Sequence, residues 1–112
     1  MTYDLFDVVV LPFPFTDRAA TRRRPALVLS RGRVLGDQPG RSVLAMITSA
    51  DNPSWPLDMP VKGQAAAGLP SPSVVRMKLF TLDNGLILRK AGRLGRAAQQ
   101  QVRESLRALL PV

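Results

Sequence analysis

Neither cysteine nor histidine occurs in the 112 residues. The first absence excludes disulfides, thiol nucleophiles and cysteine-ligated metal. The second removes the commonest general base and the commonest metal ligand. Any chemistry must then be done with arginine, lysine, carboxylates, hydroxyls and backbone, and no metal or other cofactor is expected. No segment approaches the roughly 20 apolar residues of a membrane span. The first residues carry Asp4 and Asp7 rather than a basic leader, and the apolar run from Val8 to Leu11 is soon interrupted by prolines. The expectation is a cytoplasmic protein with no membrane partner.

Acidic residues are also scarce: 8 Asp and Glu stand against 16 Lys and Arg, a net charge of +8. Such a balance favours a polyanionic partner, either nucleic acid or an acidic protein segment. Arginine far outnumbers lysine, which suits forked contacts to phosphate, although GC-rich coding alone also enriches arginine. Hydrophobic content of 46% supports an ordinary core. The length fits a single domain spanning residues 1–112, with no linker-like stretch.

Along the chain, Phe6 to Phe15 reads as a buried strand that is apolar on both faces through Val8–Leu11. Pro12 and Pro14 place its second half at an edge or bend. Phe13 and Phe15 share a parity and are expected in the core. Residues 16–24 read as a polar connection ending in Arg22, Arg23 and Arg24. Strands follow at Pro25 to Ser30 and Val43 to Ser49, separated by a loop over residues 31–41. Leu57 to Val61 fits a short fourth strand, and Ser73 to Asp83 is extended with a break near Met77. Asn84-Gly85 signals a hairpin returning through Leu86, Ile87 and Leu88. Gly95 opens a helix with Val102, Leu106, Leu109 and Leu110 on one face. The pattern predicts a mainly β fold, a small barrel or strongly bent sheet packed by a C-terminal helix.

Six segments in order resemble the MazF/PemK family of toxin-antitoxin ribonucleases: Asp7-Val-Val-Val-Leu-Pro-Phe-Pro-Phe-Thr-Asp17, Arg23-Arg-Pro-Ala-Leu-Val-Leu-Ser30, Val43-Leu-Ala-Met-Ile-Thr-Ser49, Ala67-Gly-Leu-Pro-Ser-Pro-Ser-Val-Val-Arg76, Leu79-Phe-Thr-Leu-Asp83 and Gly92-Arg-Leu94. The resemblance implies an SH3-like barrel and a homodimer binding single-stranded RNA in a groove. It also implies a cognate antitoxin protein that occupies the groove. It places the catalytic arginine at Arg24, before Pro25, and its partner at Thr48. Some members add an arginine and, two residues later, a carboxylate; here Arg76 matches, but the later position is Lys78. Phe6 stands where a glycine commonly precedes the aspartate of the first strand.

RNA carries its own nucleophile, the 2′-hydroxyl beside each phosphate. A protein can therefore cut it by aligning that group and stabilising charge on the phosphoryl oxygens. Arg24 suits this role because its planar fork donates two hydrogen bonds to phosphate, while its high pKa makes it a poor base. Thr48 would hold a phosphate oxygen or the nucleophile, with Ser49 a weaker candidate. Arg22, Arg23, Arg76 and Lys78 are candidate substrate-binding cations, and Arg76 has the alternative of pairing with Asp83. Asp17 and Asp51 are conceivable proton acceptors. Trp55 reads either as a base-stacking platform or, with more weight, as a tryptophan closing the core. Two rivals stand beside the ribonuclease: a non-catalytic SH3-like module that binds nucleic acid or acidic peptide, and a toxin that poisons a protein target.

Overall fold

Strands form here where apolar residues run without alternation, because both sides of the sheet are covered. The computed structural model describes residues 2–13, 22–35 and 40–112. Six strands, β1 (Asp7–Phe13), β2 (Arg22–Val28), β3 (Arg41–Ser49), β4 (Met59–Pro60), β5 (Ser73–Asp83) and β6 (Arg89–Arg93), make one sheet in the order β4-β5-β3-β2-β1-β6. Every pairing is antiparallel. A single helical turn α1 (Gly32–Leu35) and a C-terminal helix α2 (Arg96–Leu109) complete the elements.

Residues of opposite parity enter two cores. Val8, Leu27, Ala45, Ile47, Val75 and Met77 pack with Ala98 and Val102 of α2. Val9, Leu11, Ala26, Val28, Leu44 and Leu82 pack with Tyr3 and Ile87 on the other face. Strands covered on both faces lose the period-2 pattern, which is why Val8–Leu11 and Leu27–Val28 read as continuous apolar runs.

The sheet curls because the turn between β4 and β5 reaches β6. A Cβ placed on Gly92 would stand 2.6 Å from the Ala67 carbonyl carbon, and one on Gly68 only 2.2 Å from the Ala91 carbonyl oxygen. Gly68 also has a φ of +75°. Only glycine permits both the left-handed backbone and the close approach, so these two positions join one end of the sheet to the other.

Phe6 enters β1 with a φ of 72°, the conformation a glycine would adopt easily. The backbone is held from both sides: the Phe6 N–H donates to the Val28 carbonyl at 2.8 Å, and the Phe6 carbonyl accepts from the Leu94 N–H at 3.0 Å. The side chain is 2% exposed within the core, with the Arg103 guanidinium 4.8 Å from the ring centroid. A left-handed L-residue costs about 1–2 kcal/mol, which burial of a phenylalanine, about 1.5–3 kcal/mol, offsets. The turn is thus the glycine turn, occupied by a core residue.

Several sequence expectations need correction. Arg22–Arg24 belong to β2 and pair with Phe13, Pro12 and Leu11, while Leu29 and Ser30 lie beyond the strand. The expected loop over 31–41 contains α1, whose first N–H, at Gly32, donates to the Asp4 carboxylate at 2.9 Å. The fourth strand is only Met59–Pro60. Asn84-Gly85 makes no hairpin: Asn84–Leu86 form a 3-10 turn and β6 pairs with β1. The cause is that Asn84 is buried and its Oδ1 accepts the Ser42 hydroxyl at 2.6 Å, so Ile87 enters the core instead of a returning strand. Leu109 and Leu110 are exposed, and Ala98 takes the inward role with Val102.

Other expectations agree with the fold. The break near Met77 is a bulge, since Met77 and Lys78 lie between the partnered Arg76 and Leu79 with no opposite residue on β3. Pro12 lies beyond the part of β1 that β6 pairs, Asp7–Val10, so that side of the strand is an edge. The Phe13 side chain, Pro14, Phe15 and Asp17 lie outside the described residues.

Candidate functional site

The groove at one end of the central strands is built from the first residues of β2 and the last of β3. Their last recorded pair is Ala26 with Met46; the same register two residues on brings Arg24 level with Thr48. Beyond that pair the strands open into a groove of about 450 Å³, lined by Arg22, Arg23, Arg24, Pro25, Ile47, Thr48 and Ser49, with Pro70, Ser71 and Ser73 as the far wall. Three arginines and, among the described residues, no carboxylate line this space, so its potential is positive and an anion entering it meets forked donors.

The turn after β3 fixes the two hydroxyls. The Asn52 side-chain amide donates to Thr48 Oγ1 at 2.5 Å. A threonine hydroxyl has one proton and two lone pairs, so this bond engages a lone pair and leaves the proton for a ligand. Ser49 Oγ accepts from the Asp51 N–H at 3.2 Å, the Asn52 N–H donates to the Ser49 carbonyl, and the Ala50 N–H donates to the Pro72 carbonyl at 3.0 Å. The last bond ties the turn to the far wall of the groove.

Arg76 and Lys78 do not line this groove. Arg76 is half-buried and clamps Asp58: Nε donates to Oδ1 at 3.1 Å and Nη2 to Oδ2 at 2.9 Å. Nη2 also donates to the Pro53 carbonyl at 2.8 Å. Asp58 in turn accepts the Trp55 N–H at 3.0 Å. The hydrogen bonds from Arg76 hold the Asp58 carboxyl below the usual carboxylate range, and the same pairing raises the arginine. Arg76 thus anchors the segment 50–58. Its expected alternative partner, Asp83, pairs instead with Arg41 at 3.1 Å. Trp55 does not close the core: it is 44% exposed, with the Arg76 guanidinium 5.7 Å and the Lys78 ammonium 5.9 Å from its ring centroid. Asp51 is exposed and its carboxylate does not line the groove.

Sequence reasoning missed Asn52 and Asp58. The Asn52-Pro53 turn directly after Ile-Thr-Ser was a signal for the first, because a short amide there reaches back four residues. The second had none, since its partner lies 18 residues away. Among the described residues no three of His, Cys, Asp or Glu gather as a ligand set, and no helix is long and apolar enough to cross a membrane.

A curled antiparallel sheet with one C-terminal helix and an arginine-lined groove at its strand ends defines a small barrel-like fold suited to binding anions. Residues 4–110 match the sequence profile of the PemK-like, MazF-like toxins of type II toxin-antitoxin systems, and the chain belongs to this family. The structure is similar to MazF from Deinococcus radiodurans, at 23% identity with a TM-score of 0.75 over 100% of this chain and 99% of that one. It is also similar to the Mycobacterium tuberculosis toxin MazF-mt6, at 21% identity with a TM-score of 0.73 over 95% and 97% of the two chains. A third relative in fold is an endoribonuclease in complex with its cognate antitoxin from a mycobacterial species, at 13% identity with a TM-score of 0.74 over 99% and 95%. No curated protein gives a significant sequence match.

Proposed function

We propose that this toxin is a metal-independent endoribonuclease that cuts single-stranded RNA by attack of the 2′-hydroxyl on the adjacent phosphate. The observation that carries the reading is the meeting of Arg24 and Thr48 in one arginine-lined groove. Arg24 donates to the phosphoryl oxygens as charge grows on them. Thr48, its acceptor side engaged by Asn52, donates its proton to a phosphate oxygen. Arg22 and Arg23 hold flanking phosphates and contribute salt-dependent affinity, and Ser49 offers a second hydroxyl at the groove. The bond from phosphorus to the 5′-oxygen breaks and that oxygen takes up a proton from water, leaving a 2′,3′-cyclic phosphate and a free 5′-hydroxyl. No described carboxylate lines the groove, so the 2′-hydroxyl proton passes to water or to a phosphate oxygen. Arg76 and Lys78 act at the segment 50–58 rather than at the reacting phosphate.

The family and the antitoxin-bound relative support a cognate antitoxin as partner. We place the protein in the cytoplasm as a homodimer of single-domain chains spanning 1–112. A non-catalytic binding module is the second reading, favoured by the lack of a carboxylate among the described residues lining the groove. The deciding assay mixes the protein with a long unstructured RNA in EDTA, beside Arg24→Ala and Thr48→Ala. Discrete cuts ending in cyclic phosphate, lost in both variants, are expected. RNA that shifts in a gel but stays intact selects the binding module.

A further inference from the structure

Trp55 is the chain's only tryptophan, and it stands with 44% of its surface exposed although nothing in the core needs it there. Arg76 and Lys78 share a parity on β5, so both approach the indole from the sheet side, at 5.7 and 5.9 Å from its centroid. Two cations therefore lie against a ring that keeps 44% of its surface open to solvent. Its position is fixed at both ends of one segment. Asp58 holds the Trp55 N–H and is clamped by Arg76, while Asn52 of the same segment holds the Thr48 hydroxyl. Arg24, Thr48 and Arg76 lie on the consecutive strands β2, β3 and β5. Arg76 lies opposite Met46 and so level with Ala26; two strand spacings across and two residues along put its backbone about 12 Å from that of Arg24, the reach of a short single-stranded segment.

From this arrangement we infer that Trp55 is a stacking platform for a nucleobase of the RNA flanking the cut phosphate, with Lys78 beside it for the backbone. Aromatic rings exposed next to a cationic groove bind single strands in this way, since every base offers a π-face. The inference rests on the ribonuclease reading for its substrate. It assigns Lys78 a task that the position's departure from a carboxylate would otherwise leave unexplained: an anion at that position would repel the same backbone.

The lone tryptophan makes the test direct. A single-stranded 2′-O-methyl RNA dodecamer, which lacks the nucleophile, is titrated into the wild-type protein while indole emission is followed. Saturable quenching is expected. Polyphosphate and polyglutamate, which bring charge without bases, are expected to leave the emission unchanged. In cleavage assays Trp55→Ala should raise KM about tenfold or more while Trp55→Phe stays within a few-fold of wild type, both variants keeping the wild-type melting temperature. Emission unmoved at saturating RNA, or quenched equally by the polyanions, would overturn the platform, as would an unchanged KM for Trp55→Ala. If the wild-type protein binds RNA without cutting it, the ribonuclease reading falls, and the quenching alone decides the platform.

Discussion

At Phe6 the smaller substitution should be the less damaging one. The residue carries a φ of 72° and a side chain that is 2% exposed. Phe6→Ala removes the ring from the core, a change that typically costs about 3–5 kcal/mol, and it leaves an L-residue in the left-handed backbone. Phe6→Gly removes the same ring and relieves about 1–2 kcal/mol of backbone strain. Against that relief stands the greater freedom of glycine in the unfolded chain, about 0.5–1 kcal/mol. The glycine variant should then be more stable than the alanine variant by about 0.5–1 kcal/mol, while both remain well below wild type. Both backbone hydrogen bonds of Phe6 keep the conformation in place, so alanine cannot simply relax out of it. Urea unfolding at fixed pH measures the ordering, and in thermal melts glycine should lead by about 4 °C. An alanine variant equal to or more stable than the glycine variant would refute the argument, because strain is the only term that favours glycine.

Three further outcomes are expected. Arg24→Ala should lower kcat about 100- to 1,000-fold with folding intact, and Arg24→Lys should recover only part of that because the fork is lost; single-turnover cleavage measures both. Asn52→Ala should lower kcat by a smaller factor than Thr48→Ala, since the amide orients the hydroxyl without replacing it; comparing the two variants in the same assay checks this. The Asp58 carboxyl lies below its ordinary value of 3.8 because Arg76 donates to it. Its contribution to stability is therefore complete above that value and is lost as pH falls through the lowered pKa. Asp58→Asn should remove this part of the acid dependence, read from Trp55 emission during acid titration.

The strands were legible because of the two-sided core. Val8–Leu11, Leu27–Val28 and Val43–Ile47 could hardly have been anything but buried strands, and Val102 with Leu106 announced the helix. What escaped was whatever depended on a partner distant in sequence. Asn84-Gly85 has hairpin chemistry, yet the Asn84 side chain bonds Ser42 from 42 residues away, and no local pattern records that. The three arginines looked like a loop end because charge dominates their local appearance, although their backbones pair with β1. The groove residues Arg24 and Thr48 were named from resemblance, and strand register explains why residues 24 positions apart face one space. Arg76 was named with them, but its guanidinium is bonded to Asp58 and Pro53. A local reading of Trp55 could not tell exposure from burial.

The turn that joins the two ends of the sheet through Gly68 and Gly92 continues directly into Pro70, Ser71 and Ser73, the far wall of the groove. Closure of the fold and the width of the site therefore share one short stretch of chain. A substitution that loosens the seal also shifts the wall, so variants selected for a different RNA preference would lose stability if they changed here. The segment 50–58 takes no part in the Gly68–Gly92 closure. Arg76 clamps it through Asp58, and apart from Ala50, bonded to Pro72, and Asn52, bonded to Thr48, its exposed residues can change while the seal stays shut. Divergence in target choice should accordingly accumulate on that side of the groove, with the Gly68–Gly92 side kept constant.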